Sequence, residues 1–142
     1  MALTKKFEAK QPESGREYLC HATFFPVRRW RDIIPFLRMS SRVQAQLRPC
    51  PGPIRYALRA ELLRKRFWTF SVWEDEESVQ AFLHAEPHAE AMRRMKEWVA
   101  PDGAVFTGWT SRGGAIDWTA IRDRVWSAPP HTKPAGGEQS RK

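Results

Sequence analysis

The side chains best suited to chemistry in this sequence lie in one stretch, FWTFSVWEDEESVQAFLHAEPHAEAMRRM. His88 and Met92 are four residues apart, so a helix would place them on the same face. In the strand predicted just before that helix, Thr69, Ser71 and Trp73 alternate along one side. Hydroxyl groups can donate hydrogen bonds to a substrate oxygen, and histidine exchanges protons near neutral pH. These residues predict a site between a strand and a helix.

Two further side chains could belong to this site. His21 lies in the apolar stretch EYLCHATFFPV, where it is either a buried histidine satisfied by its neighbours or part of a pocket. Arg59 could hold an anionic group if its side of the strand faces inward. His88 also has a structural alternative, because a histidine that follows Pro87 at a helix break is often a surface or capping residue.

The composition indicates one domain that can bury its own core. The chain has 142 residues, a formal net charge of +8 and seven tryptophans. The charge favours anionic partners, or simply a basic surface. Cys20 and Cys50 form neither a disulfide framework nor a zinc pattern. Because no stretch resembles a signal peptide or a membrane span, we expect a cytoplasmic protein.

Periodicity divides the chain into four strands and three helices. Pro87 is expected to split the second helix, and Asp75 and Asp117 to cap the second and third. The predicted strands cover 17–27, 54–63, 67–73 and 104–111, and the predicted helices cover 28–47, 75–98 and 115–127. These elements form a domain over 17–127, between a flexible N-terminal arm (1–16) and a disordered tail (128–142).

This order, β-α-β-β-α-β plus a C-terminal helix, predicts an α+β, ferredoxin-like subunit with two helices on one face of its sheet. The third strand is neutral or apolar on both sides, so the second face of the sheet must also be covered. One candidate is an RNA-recognition module, because RFWTFSVW loosely resembles a basic, aromatic base-stacking signature. That hypothesis places Trp68 and Phe70 on an exposed face.

The second candidate is a barrel formed by two such sheets. FWTFSVWEDEESVQAFLHAEPHAEAM, and more weakly HATFFPVRRWRDII, resemble the antibiotic biosynthesis monooxygenase-like (ABM-like) superfamily of dimeric α+β barrels. The resemblance implies a homodimer. In this interpretation Trp73, Ser71 and Thr69 point into the barrel cavity. The other side of that strand packs on the helices and consists of Trp68, Phe70 and Val72.

The resemblance also implies two kinds of activity. In its haem-degrading branch, Trp73 matches a tryptophan at the end of the third strand, His21 stands where an asparagine is found, and Met92 replaces the histidine ligand. His88 lies one turn earlier, and imidazole or methionine can ligate haem iron. In its cofactor-free branch the protein deprotonates an electron-rich aromatic substrate, and His21 would be the base.

We therefore expect a monooxygenase that binds a small aromatic or polyketide-like substrate, or haem, in the barrel pocket. The predicted catalytic residues are His21, Trp73 and His88. The predicted substrate-binding residues are Arg59, Thr69, Ser71 and Met92. The cofactor is either absent or haem, no structural metal is expected, and nucleic acid and membranes are not expected partners. The alternatives are a non-catalytic ligand-binding or structural barrel and the RNA-binding module.

Overall fold

The computed structural model describes residues 2–100 and 103–128. The strands are β1 (Leu3–Glu8), β2 (Glu17–Pro26), β3 (Pro53–Glu61), β4 (Arg66–Trp73) and β5 (Val105–Arg112). The helices are α1 (Ile33–Leu47), α2 (Glu76–His84), α3 (His88–Arg94) and α4 (Trp118–Trp126). In this part of the chain, no helix has the length and apolar character that crossing a membrane requires.

The strands form a single antiparallel sheet in the order β1-β3-β4-β2-β5. The four predicted strands correspond to β2, β3, β4 and β5, and their order in space is the ferredoxin-like one. The predicted α+β, ferredoxin-like fold is therefore confirmed. Because β2 lies between β4 and β5, its side chains can contact residues of both of these strands.

The additional strand β1 lies within the segment predicted as a flexible arm. Leu3–Glu8 pairs with β3 along its whole length, and the Glu8 carboxylate lies 3.0 Å from the Arg55 guanidinium. Its side chains are almost all exposed, so backbone hydrogen bonds hold it rather than apolar burial. The prediction of a flexible arm is wrong for these six residues, because their polar sequence gives no apolar alternation.

The helix ends follow the local signals in the sequence. Pro35 is in the first turn of α1, where its missing N–H would have had no helical partner. The Asp75 side chain accepts a 2.8 Å hydrogen bond from the Ser78 N–H at the start of α2. Pro87 separates α2 from α3, and Asp117 caps α4. The predictions made for Asp75, Pro87 and Asp117 are confirmed.

Helices α1, α2 and α3 cover one face of the sheet. Near the start of β4, Phe67 packs with Phe36 of α1, their ring centroids 4.7 Å apart. Near its end, Trp73 packs with Val79 and Phe82 of α2. The Phe67, Thr69, Ser71 and Trp73 side of β4 is therefore the side that these helices cover.

Helix α4 packs on the opposite face. Its Ile121 and Val125 join a cluster with Trp68, Phe70 and Val72. The prediction that the Trp68, Phe70 and Val72 side of β4 packs on the first two predicted helices is therefore wrong. The helices α1, α2 and α3 lie on the other side of the strand. Both sides of β4 are apolar enough to be buried, so periodicity could not assign them.

Trp68 and Phe70 are each 1% exposed, which removes the stacking surface that the RNA-binding alternative required.

Candidate functional site

His21 occupies the middle of β2, on the sheet face toward α1, α2 and α3. Its neighbours across the sheet are Ser71 on β4 and Gly108 on β5. The imidazole lies over Gly108, where an added Cβ would be 3.2 Å from both the Cε1 and Nδ1 atoms of the ring. Gly108 is exposed and His21 is half-buried, so the ring can be approached from the β5 side.

The surroundings of His21 favour its neutral form. Burial lowers the pKa of the imidazole, and the negative charge of Glu76 acts in the opposite direction. Because the unperturbed value is already 6.5, a lowered pKa leaves the ring neutral at pH 7. A neutral imidazole has a free lone pair, which is what a general base requires.

Three hydroxyl groups lie on the same face. The Trp73 indole donates a 2.8 Å hydrogen bond from Nε1 to the Ser71 Oγ, which leaves the hydroxyl proton of Ser71 free to be donated. The Thr23 and Thr69 hydroxyls are paired with each other. One hydroxyl of that pair must donate to the other, so one proton remains available. The face beside His21 thus carries hydrogen-bond donors that suit an oxygen of a ligand.

An aromatic contact connects this face to His88. The rings of Trp73 and Phe82 have centroids 5.3 Å apart, and those of Phe82 and His88 are 4.9 Å apart. The His88 backbone N–H donates to Gln46 Oε1 at 2.8 Å, and Gln46 Nε2 donates to the Phe82 carbonyl at 3.1 Å. These bonds fix the start of α3 against α1 and α2.

The ring of His88 is held in its neutral form as well. Burial lowers its pKa, against the effect of a hydrogen bond with the Leu83 backbone. Within the described ranges its Nδ1 has no hydrogen-bond partner. His88 is therefore not the exposed cap that its position after Pro87 allowed, but Phe82 lies between it and Trp73.

The two remaining candidates lie away from this group. Met92 is half-buried on α3, one turn after His88. Arg59 pairs across the sheet with Trp68, on the face that α4 covers, and its Nε lies 3.7 Å from Glu61 Oε2. Arg59 therefore does not join the group around His21, because the sheet separates the two side chains.

Three residues that shape this face were not predicted from the sequence. Gly108 makes room for the His21 ring, and a glycine inside a strand is a signal that could have been used. Thr23 pairs with Thr69, two strand positions from His21. Tyr56, opposite Ser71 on β3, is buried, and burial raises its pKa well above the usual range despite a hydrogen bond with Ser40.

A haem group does not fit this arrangement. Buried Trp73, Tyr56, Leu58 and Phe82 fill the layer beneath α1 and α2. Two cavities have volumes of about 20 and 120 Å³; Tyr56 lines the smaller one, and none of these four residues lines the larger. Haem needs a slot of several hundred Å³. Over residues 2–100 and 103–128, no three His, Cys, Asp or Glu side chains converge as metal ligands.

Comparison with known protein families gives one match. Residues 43–116, just over half of the chain, match DUF3291, which is described as a domain of unknown function. The chain belongs to the DUF3291 family. The matched part includes Ser71, Trp73, His88 and Gly108, whereas His21 precedes it. No curated protein matches this DUF3291 chain.

Solved structures place this DUF3291 protein in the ABM-like fold. A putative monooxygenase from Fusobacterium nucleatum aligns at 14% identity and a TM-score of 0.60, over 79% of this chain and 52% of its own. A putative antibiotic biosynthesis monooxygenase from Caulobacter crescentus aligns at 12% identity and 0.58, over 73% and 94%. SnoaB, a cofactor-independent oxygenase from Streptomyces nogalater, aligns at 14% and 0.51, over 72% and 96%.

The likeness to these structures is one of fold. The chain spans about half the length of the Fusobacterium nucleatum protein and of a putative monooxygenase from Lactobacillus acidophilus. At identities of 11–14%, the comparisons confirm the ABM-like fold expected from the sequence.

Proposed function

We propose that this protein is a cofactor-independent oxygenase that acts on a small, electron-rich aromatic substrate beside His21. The observation that supports the proposal most is the half-buried, neutral imidazole over Gly108, with the Ser71 hydroxyl directly across the strand pair. A base and a hydrogen-bond donor on neighbouring strands suit the removal of a proton from carbon or oxygen and the stabilisation of the resulting anion.

The reaction would need no metal or redox group from the protein. His21 takes a proton from the acidic CH2 of an anthrone-like substrate and leaves a carbanion conjugated with the ketone oxygen. The carbanion transfers an electron to O2, and the two radicals combine as a peroxide anion. The protonated His21 returns its proton to this anion, and the resulting hydroperoxide loses water. The CH2 and O2 become a ketone and H2O, so atoms and electrons balance. Ser71 and the Thr23–Thr69 pair would donate hydrogen bonds to the enolate oxygen.

The open side of the site lies toward β5. Gly108 and Thr110 on the helix-covered face of β5 are exposed, and Phe106 on the same face is half-buried. A planar substrate could lie along this strip, with Phe106 as its apolar support. The putative monooxygenases and SnoaB, which share the fold, make an oxygenase the first activity to test.

An oxygen electrode tests the proposal, with anthrone as the probe and EDTA present. Oxygen uptake should be catalytic and should yield anthraquinone. Removing a general base typically costs 10²–10⁴-fold in rate, so His21→Asn should lose about a hundred-fold or more. His84→Asn is the matched control, because His84 is an exposed histidine on α2. Uptake no faster than in buffer, or a His21→Asn variant as active as the unchanged protein, would contradict the proposal.

A second variant tests the space over Gly108. Gly108→Ala would push the imidazole away from its position, because the added methyl would lie within 3.2 Å of two ring atoms. We expect kcat to fall about ten-fold or more, since small displacements of a catalytic group have large effects on rate. Thr107→Ala, at the neighbouring position on the opposite face of β5, should leave kcat within about two-fold of the unchanged protein. Equal effects of the two substitutions would count against His21 as the base.

A further inference from the structure

A second candidate site lies on the other face of the sheet, where the β3–β4 turn meets α4. It is a cleft of about 120 Å³ lined by Glu61, Arg64, Arg66, Trp68, Arg122 and Trp126. We call it the arginine cleft. Because the sheet separates it from His21, the arginine cleft is independent of the proposed oxygenase site.

The arginine cleft carries an excess of positive charge. Arg64, Arg66 and Arg122 line it, whereas Glu61 is the one acidic residue among its lining. In the part of the chain that the structure describes, these three arginines take part in no ion pair within 4.0 Å. The Glu61 carboxylate instead lies 3.7 Å from Arg59. The guanidinium groups are thus available to an anion from outside the chain.

Trp68 lines the arginine cleft, but its indole N–H cannot take part in binding a ligand there. The side chain is 1% exposed, and its Nε1 is buried without a hydrogen-bond partner among the described residues. Because no atom the size of a water oxygen can reach that nitrogen from the cleft, Trp68 contributes an apolar surface and the arginines carry the recognition of an anion.

We propose that the arginine cleft binds a compact oxyanion, a phosphate or carboxylate group, through its three arginines. The volume decides the size of the group: about 120 Å³ holds a phosphate or carboxylate but not a whole drug-sized ligand. Trp126, which is 52% exposed at the rim, offers a flat apolar surface for the rest of a larger ligand. Guanidinium groups match both oxyanions in geometry.

Tryptophan fluorescence and titration calorimetry on the full chain test this site at one fixed salt concentration. The probes are inorganic phosphate, phenyl phosphate and benzoate. We expect saturable binding of one anion per chain, with phenyl phosphate tighter than phosphate because its ring can pack on Trp126. This comparison distinguishes a free anion from one carried by an aromatic ligand. Absence of saturable binding by all three probes would overturn the proposal.

Arginine variants separate a built site from general charge attraction. Arg66→Gln and Arg122→Gln should each weaken binding about ten-fold or more, because each removes a charged hydrogen-bond donor. Arg38→Gln is the matched control, since Arg38 is an exposed arginine on α1, outside the arginine cleft. Equal weakening in all three variants would show that net charge alone attracts the anion, and would overturn the proposal.

Discussion

At the scale of single residues, His21 and His88 link the stability of the protein to pH. Burial lowers the pKa of both below 6.5, the value expected in the unfolded chain. Between each lowered pKa and 6.5 the unfolded chain binds more protons, so stability rises with pH there. We therefore expect the free energy of unfolding in urea to fall as the pH decreases from about 7.5 to about 5.

Substitution assigns this pH dependence to the histidines. His21→Asn and His88→Asn should each flatten the decrease, because each removes one group that the folded state keeps neutral. His84→Asn should change the decrease least, because His84 is exposed and its charge is the smallest of the three effects on the pKa of His88. A stability that does not change over this range, or that His84→Asn flattens as much as the other two, would contradict the assignment.

The site residues show which chemistry a sequence can reveal. The alternation in β4 correctly grouped Thr69 and Ser71 with Trp73. It could not show that Gly108 of β5 would lie under His21, because pairing between distant strands is set by the whole sheet. Nor could it show that Arg59 and His21 lie on opposite faces of the sheet, because the face of β3 that receives the helices depends on its partners.

At the scale of elements, the turn before β3 and the start of α2 depend on one glycine. Gly52 has φ +107, and a Cβ there would lie 2.2 Å from the Ser78 Oγ. Gly52→Ala adds backbone strain and a steric clash, each worth about 1–3 kcal/mol, so we expect a loss of about 2–6 kcal/mol in stability. Chemical denaturation measures this loss.

Gly15 provides the matched control. It too has a positive φ, +82, but an added Cβ meets no atom within 4 Å. Gly15→Ala should therefore cost only the strain, about 1 kcal/mol. Similar losses for the two variants would show that the contact with Ser78 does not determine the position of α2.

Most helices and strands could be predicted from the sequence, but the face of the sheet that each helix covers could not. Caps, prolines and apolar periods are local signals, so the helices and four of the strands follow from them. β1 was missed because an exposed edge strand held by backbone bonds needs no apolar pattern. The covering of Trp68 and Phe70 by α4 was missed because a short helix at the end of the chain can reach either face of the sheet.

At the scale of the whole molecule, α4 determines which surface remains for association. The resemblance to dimeric barrels implies that two sheets meet face to face, and this homodimer stays a prediction. In the structure Ile121 and Val125 of α4 cover Trp68, Phe70 and Val72, on the face that α1, α2 and α3 leave open. Closing two sheets over this face requires α4 to leave it, because one apolar surface cannot pack against both.

Weakening α4 should therefore promote association. Ile121→Asp places a charge where the side chain is 2% exposed, and a buried charge without a partner is strongly unfavourable. The variant should expose the aromatic face, and its mass in size exclusion with light scattering should rise with protein concentration. Ala120→Asp, an exposed neighbour on the same helix, should behave like the unchanged chain. An Ile121→Asp variant that stays folded with an unchanged mass would show that this face does not associate, and that dimers use another surface.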